Sequence, residues 1–286
     1  MSDPRPIGLF DSGVGGLTVL REVRRRLPRE STIYLGDNAR APYGPRRDEE
    51  VVRFSAECLD HLMRQDVKAI VVACNTSSSV ALSSLRQRCD LPILGVVRPG
   101  AVAAAAATRN GRIGVIATEA TIRSGAYPRA IVDERPDADI RAHATPALVP
   151  LVEAGHLAGA HVLEAVAEAL APVLDPSLPA IDTLLLGCTH YPLLGRVIAG
   201  AVGPSIAVID SASATASALA AVLEVDGLGA PLGQEPVHRL FTTGDVDTFR
   251  RTTALLFGHP APRVDLVRLV ALSSAAVGAA SGGAGA

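Results

Sequence analysis

Two cysteines sit among neighbours that could do chemistry. Cys74 opens Cys74-Asn75-Thr76 directly after the apolar run Ala69 to Ala73, and Cys188 opens Cys188-Thr189-His190 directly after Thr183 to Gly187. Each thiol stands where a buried strand would give way to a helix, and polar groups follow it. An interior thiol is more often a small hydrophobe than a reagent. That reading suits Cys58 and Cys89, which fall within or at the end of helical segments. It fits Cys74 and Cys188 poorly. A helix amino terminus lowers a thiol pKa from about 8.5, so both are expected to be lowered and usable as bases. One thiol with a histidine would suit a nucleophile. Two thiols at equivalent positions suit a proton taken from one face of a carbon and another added to the opposite face, which is racemisation.

Other groups could assist. Asp11 begins Asp11-Ser12-Gly13-Val14-Gly15-Gly16, a loop that opens a helix and whose amides can hold an anion such as a carboxylate. The loop lacks the Gly-Lys-Ser/Thr of a phosphate loop, and Thr18 stands where a dinucleotide fingerprint needs its third glycine. A tight strand-to-helix turn explains the glycines equally well. Asp11, at a strand end near a thiol, could orient that thiol or relay a proton. His190 stands two residues after Cys188, although a lone histidine is usually a satisfied core residue.

A metal is not expected. His61, His143, His156, His161, His238 and His259 show no HxxxH or HExxH spacing, and Cys-Thr-His alone makes no tetrahedral set. Pyridoxal phosphate needs a lysine for its Schiff base. Of 27 basic side chains only Lys68 is a lysine, and it lies at the start of its strand, away from the thiol. Without an electron sink, a carbanion must be stabilised by preorganised donors and exclusion of water, which domain closure would supply.

The elements that must position these groups alternate. Strand-like runs fall at 7–10, 32–36, 69–73 and 93–97, and again at 112–117, 139–144, 183–187 and 206–210. Amphipathic stretches such as Asp48 to Arg64 and Gly159 to Val173 lie between them. This pattern predicts an α/β fold with mainly parallel sheets covered on both faces. The two sets echo each other: Ile7 and Ile113 are 106 residues apart, and Cys74 and Cys188 are 114 apart. We read a duplication into two pseudo-symmetric α/β/α halves with the site in the cleft between them. After Asp210 come a helix (212–224), a strand near Leu240 and a helix from Asp245, expected to pack back on the first half. The expected domains are therefore 1–98 plus 211–270 on the Cys74 side and 99–210 on the Cys188 side. The small-residue tail 271–286 is expected to be disordered. Ligands bind beyond the carboxyl ends of such strands, where Asp11, Gly36-Asp37-Asn38, Cys74 and Cys188 all fall.

Composition narrows the function classes. The chain has 286 residues, 48% of them hydrophobic, and aromatics supply only 3%, so the core must be aliphatic. A net charge of −2 argues against nucleic acid or a membrane as the main partner. The arginine runs at 24–26, 46–47 and 250–251 read as solvated helix faces. No apolar leader or membrane-length run is present, and the cysteines form no CxxC pair, so a cytoplasmic protein with free thiols is expected.

These motifs together resemble the glutamate racemases, within the broader aspartate/glutamate racemase superfamily. The matching stretches are IGLFDSGVGGLTVL at 7–20, YLGDNARAPYG at 34–44, VVACNTSSSVAL at 71–82, IGVIATEATIRSGAY at 113–127, LVEAG at 151–155 and LGCTHYPLL at 186–194. They span nearly the whole chain except the tail. The resemblance implies two domains closing on an amino acid without a cofactor, and D-glutamate made for peptidoglycan. Cys74 would remove the α-proton of D-glutamate and Cys188 that of L-glutamate. Asp11 would assist Cys74, and His190 would assist Cys188, with Glu153 as a further group on that side. Asp11, Ser12, Pro42, Tyr43, Gly44, Asn75, Thr76, Thr118, Thr121, Thr189 and His190 would bind the substrate. A homodimer is expected. Two departures, Ser77 for a usual alanine and Ala117 for a common glycine, are expected to line the pocket. Glu153 could instead be an exposed helix acid.

Three rivals make different demands on these residues. An aspartate racemase would keep both thiols and change the side-chain pocket. A thiol hydrolase using Cys188 and His190 leaves Cys74 unexplained. An amino-acid binding module also has two similar halves around a cleft, but it would tolerate loss of both thiols.

Overall fold

The structure is a computed structural model that describes residues 2–258 and 262–269. The tail singled out in the sequence lies outside the described residues.

Strands β1 (Ile7–Asp11), β2 (Thr32–Gly36), β3 (Ala69–Val72) and β4 (Ile93–Gly95) alternate with helices α1 (Leu17–Arg26), α2 (Asp48–Met63), α3 (Asn75–Val80) and α4 (Leu82–Arg86). Helix α5 (Val97–Ala107) then leads to β5 (Arg112–Ala117), α6 (Glu119–Ser124), α7 (Ala126–Glu134) and β6 (Asp139–Ala144). Next come α8 (Leu148–Glu153), α9 (Ala160–Leu170), β7 (Thr183–Gly187), α10 (Gly195–Val202) and β8 (Ala207–Asp210). The chain continues through α11 (Ala212–Val225), β9 (His238–Thr242), α12 (Val246–Phe257) and β10 (Val264–Leu266).

Two sheets result, ordered β10-β9-β2-β1-β3-β4 and β6-β5-β7-β8. Every strand pair in both is parallel. The order 2-1-3-4 of the first four strands is repeated by β6-β5-β7-β8, so the echo in the sequence corresponds to a repeated topology. Strands β9 and β10 extend the first sheet beyond β2. The three-residue β10 has no counterpart among the runs read from sequence, because it is too short to show a periodicity.

Alternation explains how each sheet is covered on both faces. Leu9, Val71 and Tyr34 point to a core shared with α1, α11 and α12. Their neighbours Phe10, Val72, Ile33 and Leu35 point to the opposite core under α2. In the second sheet, Leu184 and Leu186 face α8, α9 and α10, while Leu185 and Val115 face α5 and α7. Where both faces are apolar, as in β1, β2, β3 and β7, the strands read as continuous hydrophobic runs. Among the described residues, no helix is long and apolar enough to cross a membrane.

Candidate active site

The carboxyl ends of β1 and β3 face those of β5 and β7, and between them lies a small, narrow cavity. Ser12, Pro42, Tyr43, Gly44, Cys74, Asn75 and Thr76 line it from the first half, and Thr118, Val149, Cys188, Thr189 and His190 from the second. Both thiols therefore open into one space, one from each half. Asp11, Glu153 and Thr121 stand one layer behind, bonded to Thr189, His190 and Thr118 respectively. Ser77 and Ala117 do not line the cavity, contrary to the sequence expectation. Ser77 is turned behind Cys74 and accepts a hydrogen bond from Ser55 at 2.9 Å. Ala117 is buried in its strand, packed between Gly187 and Thr145. Val149 lines the cavity without having been foreseen, since an apolar helix residue carries no chemical signal.

Cys74 caps α3. Its sulphur accepts from the Ser77 amide at 3.5 Å and bonds the Ser12 hydroxyl at 3.7 Å. A lowered thiol pKa is expected there from sequence, but the opposite holds. Burial pushes the thiol up to about 11, and the charge of Asp11 adds to it. One amide at the end of a helix of fewer than two turns does not offset full burial. Cys74 rests as a thiol, a proton donor.

Cys188 has a different setting. Its sulphur lies 3.7 Å from Nδ1 of His190, and the other ring nitrogen lies 2.6 Å from Oε1 of Glu153. Burial opposes a charge on His190, but its bonds to Cys188 and Glu153 and their negative charge outweigh this, so its pKa stands well above the ordinary value. Burial likewise opposes the Glu153 carboxylate, but the His190 bond and charge hold its pKa below the ordinary value. His190 and Glu153 are thus an imidazolium–carboxylate pair beside the sulphur. The chain after Cys188 makes a single 3₁₀ turn, Tyr191–Leu194, before α10 begins at Gly195. The histidine pair, rather than a long helix amino terminus, faces this thiol. Tyr191 anchors the turn, with its hydroxyl 2.7 Å from that of Thr145.

The glycine loop does hold anions, but they are the protein's own carboxylates. The Gly13 amide donates to Oδ1 of Asp11 at 2.9 Å, with the Gly16 amide also bonding that carboxyl. The Val14 amide bonds Glu153. Burial pushes the Asp11 carboxyl above the ordinary value, against the pull of His190 and the amides. The Thr189 hydroxyl donates to Oδ2 of Asp11 at 3.1 Å. Asp11 therefore reaches across to the Cys188 side and influences Cys74 through space. Close approach explains two of the glycines: a Cβ on Gly13 would lie 2.5 Å from Glu153 Oε1, and one on Gly15 would lie 2.5 Å from His190 Nδ1. Thr18 fastens the same junction, donating to the carbonyls of Gly15 at 2.8 Å and Thr189 at 3.2 Å.

Behind the far wall, the Tyr43 hydroxyl donates to Asp37, and Arg40 joins Asp37 to Glu57. This cluster braces the Pro42–Gly44 segment. The Gly44 carbonyl accepts from the Ala120 amide at 3.1 Å, and the hydroxyls of Thr76 and Thr118 meet at 2.9 Å. Among the described residues no arginine lines the cavity, so hydroxyls, amides and backbone groups are the donors there for any carboxylate. Lys68 is buried at the amino end of β3, paired with Glu30 at 2.6 Å. It is not available to a carbonyl in the cavity. Among the described residues, no three His, Cys, Asp or Glu side chains are grouped as metal ligands.

This pairing of folded halves and facing thiols defines a class. Residues 14–219 match the family model described as Asp/Glu/Hydantoin racemase, and the chain belongs to that family. Among similar relatives is a glutamate racemase of Exiguobacterium sibiricum, 44% identical over 92% of this chain and 96% of its own. Among solved structures, a glutamate racemase isoform of Bacillus anthracis superposes with a TM-score of 0.88 at 43% identity, covering 93% of this chain and 98% of that one. The glutamate racemase of Francisella tularensis, solved in complex with D-glutamate, superposes with a TM-score of 0.85 at 32% identity over 93% and 98% of the two chains.

Proposed function

We propose that this chain is a glutamate racemase that interconverts L- and D-glutamate by proton transfer at Cα between Cys74 and Cys188. The observation that carries this reading is one narrow cavity with a thiol from each half on its wall. Starting from L-glutamate, the Cys188 sulphur as thiolate takes the α-proton. The electron pair left on Cα spreads into the α-carboxylate, held by hydroxyls and amides in a site that excludes water. The Cys74 thiol then gives its proton to the opposite face. The product is D-glutamate, with Cys188 protonated and Cys74 left as thiolate. Exchange with solvent must reset both before another turnover in that direction. The reverse reaction uses the same groups in exchanged roles. Cys74 resting as a thiol readies the protein for the L-to-D direction.

His190, held as a cation by Glu153, steadies negative charge on Cys188 or supplies it a proton. Asp11 fixes the Thr189 hydroxyl at the same wall. Ser12, Pro42, Tyr43, Gly44, Asn75, Thr76, Thr118, Thr189 and His190 surround the substrate, with Thr121 supporting Thr118. Glutamate over aspartate is supported by the relatives named above. Supply of D-glutamate to peptidoglycan, a cytoplasmic location and a homodimer complete the proposal. Incubation with L-glutamate and, separately, L-aspartate, followed by chiral separation, tests the substrate. D-glutamate should form, with D-aspartate slower by at least tenfold. Turnover of aspartate alone would overturn the assignment.

A further inference from the structure

Asn75 lines the cavity, is 2% exposed, and leaves one end of its amide without a partner. Its Nδ2 donates to the Tyr127 hydroxyl at 2.6 Å, while Oδ1 is buried and accepts no hydrogen bond from the described residues. A buried amide oxygen left unpaired is destabilising, so its retention at a cavity wall points to a ligand that completes it. Glutamate with both carboxylates ionised carries a single donor group, its ammonium.

Tyr127 comes from the other half, on α7, and is itself 1% exposed. Its slot is cut by two glycines. A Cβ on Gly187 would lie 2.9 Å from the Tyr127 ring, and one on Gly100 would lie 3.2 Å from its hydroxyl. The ring is seated closely against both glycines, and its hydroxyl is the post against which the Asn75 amide is set. The hydroxyl has a second side-chain partner in Ser211; with its proton given there it can only accept from Asn75, which sets Nδ2 toward it, whereas a flipped Asn75 would present NH₂ to the cavity and repel an ammonium.

We infer that Tyr127 is a positioning residue for the substrate ammonium: it pins Asn75 Nδ2 so that Oδ1 faces the cavity as an acceptor. This rests on the reading of the cavity as the glutamate site. The effect passes wholly through Asn75, which separates it from a general packing role.

The test is a double-mutant cycle of wild type, Tyr127→Phe, Asn75→Ala and the double variant. Two readouts are taken: KM and kcat for glutamate, and the rise in Tm that saturating glutamate produces, which needs no turnover. Wild type should be protected by glutamate. Tyr127→Phe should raise KM about tenfold, with a smaller change in kcat, and shrink the glutamate-induced Tm rise. In the Asn75→Ala background the same substitution should add nothing to either readout. If wild type gains no protection from glutamate, the substrate assignment itself fails. If wild type is protected and Tyr127→Phe behaves like it, or weakens binding by the same factor in both backgrounds, the positioning role is wrong.

Discussion

At Cys188 the sulphur, the His190 ring and the Glu153 carboxylate stand in a row, and each link has a visible cause. The ring is placed by the 3₁₀ turn after β7, and Glu153 by the end of α8 lying over the glycine loop. The proton on His190 depends on Glu153. If the protonated ring is needed, activity falls as pH rises through the His190 pKa. Glu153→Gln removes the charge that raises that pKa, so the alkaline limb of the kcat/KM profile should move to lower pH, by about one unit; an unmoved limb contradicts the pairing. Much of this row was legible from sequence, because Cys-Thr-His and Leu-Val-Glu-Ala-Gly are distinctive runs. The resting state of Cys74 was not. A sequence shows that a thiol caps a helix, but not that the helix is short and the thiol fully buried. Tyr127 and Val149 were also missed as contributors, since both read as ordinary packing residues until their neighbours across the cleft are known.

At the scale of elements, the inner strands of the duplicated halves were readable because both faces of each sheet are apolar there and the runs are unbroken, whereas the edge strand β6 is polar at alternate positions and only half-buried. Strand β10 and the buried Lys68–Glu30 pair were not, since both depend on contacts between distant segments. Lys68 Nζ also donates to the Asp3 carbonyl at 2.8 Å, and Glu30 accepts from the Ala230 amide at 2.7 Å. The pair thus ties β3 to the amino-terminal segment and to the loop before β9. Breaking such a pair strands a buried charge and costs about 3–5 kcal/mol, while replacing both partners by apolar groups costs far less. Lys68→Met should therefore lower unfolding free energy in urea by about that amount, and Lys68→Met with Glu30→Met by distinctly less. A fully stable Lys68→Met protein would contradict the account.

For the whole molecule, the central feature is how tightly the halves meet around the cavity. Thr76 with Thr118, Gly44 with Ala120, Asn75 with Tyr127 and Asp11 with Thr189 are all bonds between the halves. These bonds draw the two halves together around the narrow cavity, and opening them would widen it. A Cβ on Gly44 would lie 2.9 Å from Thr118 Cβ and 3.1 Å from its Cγ2, atoms of a stiff β-branched side chain. Gly44→Ala should hold the halves apart, lowering kcat/KM at least tenfold while Tm stays within a few degrees, because neither sheet core is touched; unchanged kinetics would show that closure tolerates the gap. Repeated strand spacing and aligned cysteines made the two halves legible in the sequence. Their mode of contact was not, because it is written in glycines and hydroxyls that also serve as ordinary turn residues. The two-thiol claim itself is tested most directly by racemisation of L-glutamate in D₂O, stopped early and analysed for α-deuterium in each enantiomer. D-glutamate should carry deuterium while recovered L-glutamate carries almost none, and Cys74→Ser and Cys188→Ser should each abolish racemisation. Equal early labelling of both enantiomers, or full racemisation by either variant, would contradict it.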